Sequence, residues 1–276
     1  MTYETIEVEP ITPVIGAEIS GVDISKQLGN QTYQEIHDAL MKHQVIFFRD
    51  QDMSLDEHKN FGRLFGELHI HPTAKAPDGH PEIIIIHADE KSKVVAGMKW
   101  HSDVSCDLEP PMGSILHLQT IPDSGGDTMF ASGYAAYEAL SEPVKALVSG
   151  LKAWNESAHV HRDRFGDAGK LRDGDDSYPS SLHPIVRTHP VTGRKALFVN
   201  ENFTTRIENL NKNESDAILK MLYDHIATPE FHCRFQWREK SVAFWDNRCA
   251  QHRSVWDYFP QVRHGYRVTI AGDKPF

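Results

Sequence analysis

Cysteine is scarce in this chain. Only three are present, Cys106, Cys233 and Cys249, and no two of them form a Cys-x-x-Cys pair. An odd, widely spaced set is typical of reduced thiols and argues against a disulfide framework. Long hydrophobic runs are missing as well, since none approaches the roughly 18 residues needed to cross a bilayer. The first residues show neither a basic start nor an apolar stretch, so we expect no secretory signal, no membrane partner and a cytoplasmic location.

Basic residues are outnumbered in this chain. There are 29 Lys and Arg against 39 Asp and Glu, which gives a formal net charge of -10. A protein with a net negative charge of this size repels phosphate backbones, so nucleic acid is not an expected partner. Histidine, by contrast, is abundant, with 17 copies. In an acidic protein this abundance favours a metal site or proton chemistry without locating it.

Several catalytic motifs are absent from the sequence. It contains no Gly-x-Gly-x-x-Gly opening a helix, no Walker loop, no Gly-x-Ser-x-Gly elbow and no His-Glu-x-x-His. Nucleotide-binding folds, serine hydrolases and zincins are therefore disfavoured.

Hydrophobic periodicity predicts one domain, residues 1–276, that is mainly β with a few covering helices, in a jelly-roll arrangement of two sheets. Helices are predicted over 32–43, 55–68, 134–151 and 215–226. Strands are predicted over 45–48, 82–87, 115–120, 128–131, 185–187, 196–200, 231–237, 242–245 and 267–270. The polar segment at about 160–182 has almost no apolar anchors, which is typical of a solvated loop and also of a lid over a site.

Histidine lies two residues before aspartate at three places. In an extended segment, such side chains point the same way and can converge on one ion. His87/Asp89 ends a predicted strand, where a rim histidine is an ordinary feature, and His161/Asp163 borders the polar segment. His101/Asp103 follows Trp100 and is the strongest of the three on position. His69-x-His71 is a further pair, although the glutamate of a cupin half-site does not follow it.

A third ligand must come from elsewhere in the chain. A buried strand runs into a polar turn that ends at His252. Taken alone, His252 is more typical of a structural, hydrogen-bonding histidine than of a ligand. Two histidines and one carboxylate leave three open positions on an octahedral ion, which suits non-haem Fe(II) and O₂ chemistry. Downstream, Arg263 and Arg267 would face one side of a strand, with Gly265 between them leaving room for an acidic ligand, or they are surface arginines.

Taken together, these segments resemble the taurine dioxygenase family of Fe(II)/2-oxoglutarate-dependent dioxygenases, from about residue 5 to the end. The motifs that carry the resemblance are Gly66 to Pro72, Trp100 to Val104, Pro110-Pro111, Gly125 to Thr128, Arg187 to Pro190, Asn200 to Ile207, Trp245 to Arg248 and Gln251-His252. Each motif is weak alone, and the combination is specific. The family fold, a double-stranded β-helix of the jelly-roll type, agrees with the predicted strands.

The resemblance implies Fe(II) as the metal, with 2-oxoglutarate and O₂ as cosubstrates. It implies that His101, Asp103 and His252 are the iron ligands. Thr128 and Arg263 would hold the distal carboxylate of 2-oxoglutarate, whose other end chelates the metal.

For the substrate, the resemblance implies a small organic anion. Arg267 and His71 would bind its sulfonate, Val104 would lie close by, and Phe203 would line the pocket. The carbon next to the acidic group would be hydroxylated, and an α-hydroxysulfonate would collapse to an aldehyde and sulfite. The protein would also be a homo-oligomer, dimer or tetramer, because relatives commonly associate.

Two positions depart from the taurine-cleaving pattern. Ala74 and Gly97 stand where those enzymes carry a tyrosine and an asparagine that help bind the amine. An alkylsulfonate, an alkyl sulfate ester or an aryloxy or other carboxylate is therefore an alternative substrate. Two other classes also stay open: a Zn²⁺- or Mn²⁺-assisted hydrolase with the same ligands, and a jelly-roll binding module whose histidines lie on the surface.

Overall fold

The structure is a computed structural model that describes residues 2–71, 74–160 and 178–276. Strands dominate it, as the sequence predicts. The strands are β1 (Glu7–Pro10), β2 (Ala17–Ser20), β3 (Val45–Phe48), β4 (Ile83–Ala88), β5 (Gly113–Thr120), β6 (Thr128–Ser132), β7 (Lys152–Glu156), β8 (Ser180–Pro184), β9 (Val186–Thr188), β10 (Lys195–Leu197), β11 (Thr204–Ile207), β12 (His232–Phe235), β13 (Ser241–Asp246), β14 (Ala250–Ser254) and β15 (Arg263–Ile270). The helices are α1 (Asn30–His43), α2 (Leu55–Arg63), α3 (Gly133–Glu138), α4 (Glu142–Val148) and α5 (Lys212–Ile226), with a 3₁₀ turn at Pro229–Phe231.

A seven-stranded sheet forms the frame, in the order β1-β2-β3-β13-β5-β15-β4. Its central strands β3 and β13 are buried at every position. Continuous burial explains why Val45 to Phe48 reads as an unbroken apolar run rather than an alternating one.

The two faces of this sheet are covered differently. Helices α1 and α2 cover one face, where Ile36, Leu40 and Phe61 pack on Ile115 and Phe244. The other face packs against a three-stranded sheet, β12-β6-β14. Phe47 of the large sheet stacks on Phe235 of the small one at 3.9 Å between ring centroids. Burial of such aromatic pairs contributes strongly to the stability of a hydrophobic core. The described chain is therefore mainly β, with helices packed outside.

Two predicted helices differ from the structure. The single helix expected over 134–151 is two helices, α3 and α4, because Pro143 has no N–H to bond to the preceding turn and sits instead at the start of α4, after Ser141. The helix expected over 55–68 ends at Arg63. Beyond it, Leu68 forms a β-bridge with Ile270, which requires extended backbone.

The lid predicted at about 160–182 lies largely outside the described residues, and so does His161/Asp163. Within the described ranges, no helix has the length and apolar character needed to cross a bilayer.

Candidate active site

Three side chains predicted as ligands come together between the two sheets. Asp103 Oδ1 lies 3.8 Å from His101 Nε2 and 3.9 Å from His252 Nε2. One ligand atom from each residue lies within 4.8 Å of the other two, and all three residues are buried. Two imidazole nitrogens and one carboxylate oxygen are the donor set that non-haem Fe(II) takes when positions must stay open. The arrangement therefore fits such an ion.

The local backbone explains how residues so distant in sequence meet. His101 and His252 face each other in an antiparallel β-bridge, with backbone hydrogen bonds of 3.1 and 2.8 Å. Strand β14 supplies His252, and β14 pairs with β6. His101 Nδ1 lies 2.8 Å from the carbonyl oxygen of Lys99. Because a carbonyl only accepts, Nδ1 carries the proton and the lone pair of Nε2 points at Asp103.

Burial sets the charge of these groups. It lowers the pKa of His101, and burial together with the neighbouring His101 ring lowers the pKa of His252 well below its usual value. Burial alone would raise the pKa of Asp103, but the charge of the adjacent Arg267 guanidinium holds it well below its ordinary range. At neutral pH the cluster therefore presents two neutral imidazoles and one carboxylate, the protonation states that a metal ion requires.

Arg263 is buried on β15, four residues before Arg267. Its Nε donates to the carbonyl oxygen of Gly126 at 3.0 Å and its Nη2 to Thr128 Oγ1 at 3.3 Å. Trp237 Nε1 donates to the same hydroxyl at 3.0 Å. Within the described ranges Arg263 forms no ion pair, and its near neighbour Asp127 pairs with Arg234 instead. Burial lowers the pKa of Arg263 to about 10, so the group stays charged at neutral pH.

Arg267 lies beside the triad on the same strand as Arg263. Its Nη1 donates to Asp103 Oδ1 at 2.7 Å. Its Nε is buried and has no hydrogen-bond partner among the residues that the structure describes. A guanidinium whose Nε–H has no partner among these residues is suited to binding an anion.

The other expected substrate residues border the triad. Burial and the charge of Arg267 lower the pKa of His71 to about 4, so this histidine is neutral at pH 7. Its Nδ1 accepts from the backbone N–H of Ala74 at 3.1 Å, which leaves the proton on Nε2. The Phe203 ring lies 6.4 Å from that of His101. Val104, directly after Asp103, has a φ of 48°, which is unfavourable for a β-branched residue.

Gly265 corrects one expectation from the sequence. The spacing predicts that this glycine leaves room for a ligand between the two arginines. A Cβ at this position would lie 2.2 Å from the carbonyl oxygen of His117 on β5. The glycine is therefore required by close packing of two strands, and it opens no cavity.

Gly97 borders the triad directly. Its φ is 79°, and a Cβ there would lie 2.9 Å from His101 Cε1. Its carbonyl oxygen accepts from the backbone N–H of Ser254 at 2.7 Å. A residue larger than glycine at position 97 would push the His101 ring out of its place. The observed position of the His101 ring therefore requires glycine at position 97.

In the described part of the chain, the competing histidine pairs do not form a three-ligand cluster of their own. His87 and Asp89 approach to 3.4 Å, but the His87 side chain is 44% exposed. His69 Nε2 faces Asp107 Oδ2 at 3.6 Å rather than the triad. Neither pair joins a third donor among the described residues.

A second buried cluster, His189, Asp246 and Cys249, has the residue types of a metal site. Its donor atoms are already used. His189 Nε2 contacts Asp246 Oδ2 at 3.0 Å, and His189 Nδ1 accepts from two backbone N–H groups. Arg248 donates to both oxygens of Asp246 at 2.9 and 2.7 Å. Because the histidine and the carboxylate already have hydrogen-bond partners, the cluster is a structural network that fixes the turn between β13 and β14.

Sequence reasoning missed two polar residues that contact Asp103. Ser114 Oγ donates to Asp103 Oδ2 at 2.8 Å, and Asn247 Oδ1 accepts from the Asp103 backbone N–H at 3.1 Å. Asn247 lies within a motif that carries the family resemblance, but the motif alone does not indicate its role. Ser114 leaves no distinct signal in the sequence, because β5 also carries the polar residues His117, Gln119 and Thr120.

Comparison with known proteins agrees with this geometry. Residues 7–269 match the family described as "Taurine catabolism dioxygenase TauD, TfdA family". An alpha-ketoglutarate-dependent sulfate ester dioxygenase of Pseudomonas putida is 36% identical, over 98% of this chain and 91% of the relative. An alpha-ketoglutarate-dependent sulfonate dioxygenase of Saccharomyces cerevisiae is 33% identical, over 98% of this chain and 68% of the relative. The crystal structure of a taurine dioxygenase from Burkholderia xenovorans superposes with a TM-score of 0.85 at 37% identity, over 99% of this chain and 91% of that one.

Proposed function

Because the chain belongs to the taurine catabolism dioxygenase TauD, TfdA family, we propose that it hydroxylates the carbon next to the acidic group of a small organic anion, a sulfonate in the first place. The enzyme is an Fe(II)- and 2-oxoglutarate-dependent dioxygenase, with O₂ as the second cosubstrate. The observation that carries the proposal is the buried His-Asp-His cluster, which Arg267 contacts, together with a second buried arginine on the same strand, Arg263, that has no acidic partner among the described residues.

His101, Asp103 and His252 are the residues we assign to iron. Bound Fe(II) supplies the activation of O₂ that oxidises 2-oxoglutarate and the substrate. The protein holds the two imidazoles neutral and the carboxylate ionised, as the directions of their pKa shifts indicate. Burial of all three residues excludes bulk water from the reacting centre.

Arg263 and Thr128 are the residues we assign to the distal carboxylate of 2-oxoglutarate. A buried guanidinium without an acidic partner is costly, and an incoming carboxylate would relieve that cost. The Thr128 hydroxyl accepts from both Trp237 and Arg263, so its own proton remains to be donated to the cosubstrate.

Arg267 and His71 are the residues we assign to the substrate's acidic group. Arg267 offers a charged donor, and His71 offers a neutral Nε2–H, since its Nδ1 accepts from the Ala74 backbone. An anion held there lies beside Asp103, so its adjacent carbon is directed at the metal site. Val104 and Phe203 would contact the rest of the molecule.

The substrate tail is the least constrained part of the proposal. Ala74 offers no polar side chain for an amine, and Gly97 offers none at the edge of His101. A more apolar tail than that of taurine therefore fits better. An alkylsulfonate would give an aldehyde and sulfite. An alkyl sulfate ester, in line with the sulfate ester named for the Pseudomonas putida relative, or an aryloxy carboxylate would undergo the same hydroxylation.

Three further features belong to the same proposal. The two facing sheets would form a double-stranded β-helix, and residues 1–276 would be one catalytic domain. The protein would also be a dimer or tetramer. Light scattering tests the last point directly against the chain mass of 31.3 kDa.

The first experiment tests the metal and cosubstrate. Anaerobic Fe(II) plus 2-oxoglutarate should give a weak visible charge-transfer band in the wild type, and adding the right substrate should change it. His101→Ala should abolish the band. His87→Ala, which alters a histidine of the same His-x-Asp spacing on the exposed rim, should retain it. A wild type that binds iron but gives no band, or turnover that needs no O₂, would count against the proposal and for a hydrolase.

The second experiment identifies the substrate. Taurine, longer alkylsulfonates, alkyl sulfates and phenoxyacetates are compared by the succinate that each one produces. We expect alkylsulfonates or alkyl sulfates to exceed taurine. A preference for taurine would contradict the role that we assign to Ala74 and Gly97.

A further inference from the structure

Asp103 is held by a closed ring of hydrogen bonds. Its backbone N–H donates to Asn247 Oδ1 at 3.1 Å. Asn247 Nδ2 donates to Ser114 Oγ at 3.3 Å, and Ser114 Oγ donates to Asp103 Oδ2 at 2.8 Å. All three residues are at least nine-tenths buried. The ring therefore fixes both the main chain and the carboxylate of Asp103, away from competing water.

The donor and acceptor roles in this ring follow from Trp245. The indole Nε1 of Trp245 lies 3.0 Å from Asn247 Oδ1, and an indole N–H can only donate. The atom facing it must therefore be the amide oxygen, which places the amide nitrogen toward Ser114. Because the carboxylate oxygen Asp103 Oδ2 can only accept, the single proton of Ser114 Oγ is directed to it, while the same hydroxyl accepts from Asn247 Nδ2.

The two oxygens of Asp103 consequently have different surroundings. Oδ2 accepts from Ser114, whereas Oδ1 accepts from Arg267 Nη1 at 2.7 Å and faces both His101 and His252. The backbone next to Asp103 is strained, because Val104, the following residue, adopts the left-handed region that β-branched residues avoid. A strained backbone beside a ligand requires surrounding contacts that keep it there, and the amide of Asn247 supplies one.

We propose that Ser114 and Asn247 are positioning residues that make Asp103 offer a single oxygen to the metal. This inference rests on the proposed function, because it takes His101, Asp103 and His252 as the ligands. A carboxylate released from Ser114 can turn and offer both oxygens. The second oxygen then competes for a position that 2-oxoglutarate needs, so the cosubstrate binds more weakly.

The test replaces Ser114 by residues that donate less well. Ser114→Cys keeps a weak S–H donor of similar size, and Ser114→Ala removes the donor. Ser132→Ala is the matched control, since Ser132 is equally buried and its hydroxyl donates to Gln44 at 2.6 Å and accepts from the Ala135 backbone N–H, rather than bonding to a ligand residue. Each protein is titrated anaerobically with Fe(II) and then with 2-oxoglutarate while the visible band is followed, and KM for 2-oxoglutarate and kcat are measured with O₂.

We expect the affinity for 2-oxoglutarate to fall from the wild type to the cysteine variant and again to the alanine variant, with a loss of roughly ten- to a hundredfold for alanine. The band should shift in the same order. Ser132→Ala should lower the melting temperature and leave the titration and the band unchanged. The inference is overturned if Ser114→Ala binds 2-oxoglutarate as the wild type does, with an unshifted band. Absence of the band from the wild type would instead contradict the proposed function itself.

Discussion

Arg267 donates a 2.7 Å hydrogen bond to Asp103 Oδ1, the same oxygen that faces His101 and His252. A guanidinium thus touches the carboxylate that we assign to the metal. An anion bound by Arg267 would therefore lie next to the carboxylate that we assign to the metal. The strand β15 would then contribute to substrate binding directly beside the metal site. Arg263, four residues earlier on β15, contacts Thr128 instead. The two arginines are therefore placed to serve different ligands.

This division of roles predicts opposite kinetic effects for the two arginines. Arg267→Lys should raise KM for the substrate and lower the yield of product per succinate, because a lysine cannot reproduce a fixed fork of donors. KM for 2-oxoglutarate should change little. Steady-state assays with both ligands varied measure this. A rise confined to KM for 2-oxoglutarate would assign Arg267 to the cosubstrate.

For a variant of Arg263, we expect KM for 2-oxoglutarate to change rather than KM for the substrate. Arg263→Gln should raise KM for 2-oxoglutarate roughly ten- to a hundredfold, the range for a lost charged hydrogen bond of about 1.5–3 kcal/mol. Without ligands its melting temperature should be no lower than that of the wild type, because the substitution removes a buried charge that lacks an acidic partner among the described residues. Thermal shift with and without 2-oxoglutarate checks both points. Arg206→Gln, on the exposed surface, should change neither.

Acid sensitivity should arise in part from His58. This residue of α2 is fully buried, its Nε2 faces the carbonyl oxygen of Ile115, and burial lowers its pKa to about 3. Between the unfolded value of about 6.5 and this folded value, protons bind the unfolded chain more tightly. The free energy of unfolding should therefore fall as pH drops from about 6.5 toward 3, by up to about 1.4 kcal/mol per pH unit for this one group.

Urea unfolding of the metal-free protein across this range measures the effect. His58→Gln should have a shallower pH dependence, whereas His87→Gln, at the exposed rim, should keep the wild-type slope. Identical slopes in all three proteins would assign the acid sensitivity to other groups.

The network around Asp246 should be essential for stability. Asp246 is fully buried, and Arg248 binds both of its oxygens. Arg248→Ala leaves that charge without its guanidinium, which typically costs about 3–5 kcal/mol. Urea denaturation should show this loss, and Lys220→Ala, which breaks an exposed ion pair with Asp224, should change stability by less than about 1 kcal/mol. A loss for Arg248→Ala as small as that of the control would rule out an essential role for this ion pair.

Much of the fold could be predicted from the sequence because buried strands and helices produce a local hydrophobic pattern. The apolar run 45–48 and the helix ending at Ile226 appear as predicted. One helix error overlooked a local signal, Pro143, and the other arose where contacts distant in sequence decide the outcome. The chain after Arg63 leaves the helix because Leu68 pairs with Ile270, a residue near the other end of the chain.

The sequence by itself determined which chemistry was available: histidines and an aspartate at ligand spacing, two arginines on one strand, and motifs that together identified the family. Only the tertiary structure decided which of these groups meet. His87/Asp89 and His101/Asp103 have the same spacing, but only the second pair lies opposite His252, because a β-bridge brings two distant segments together. Likewise Gly265 proved to be needed for strand packing, and Ser114 and Asn247 proved to contact Asp103. Spacing along the chain sets where side chains point locally, whereas long-range strand pairing and burial set what they face.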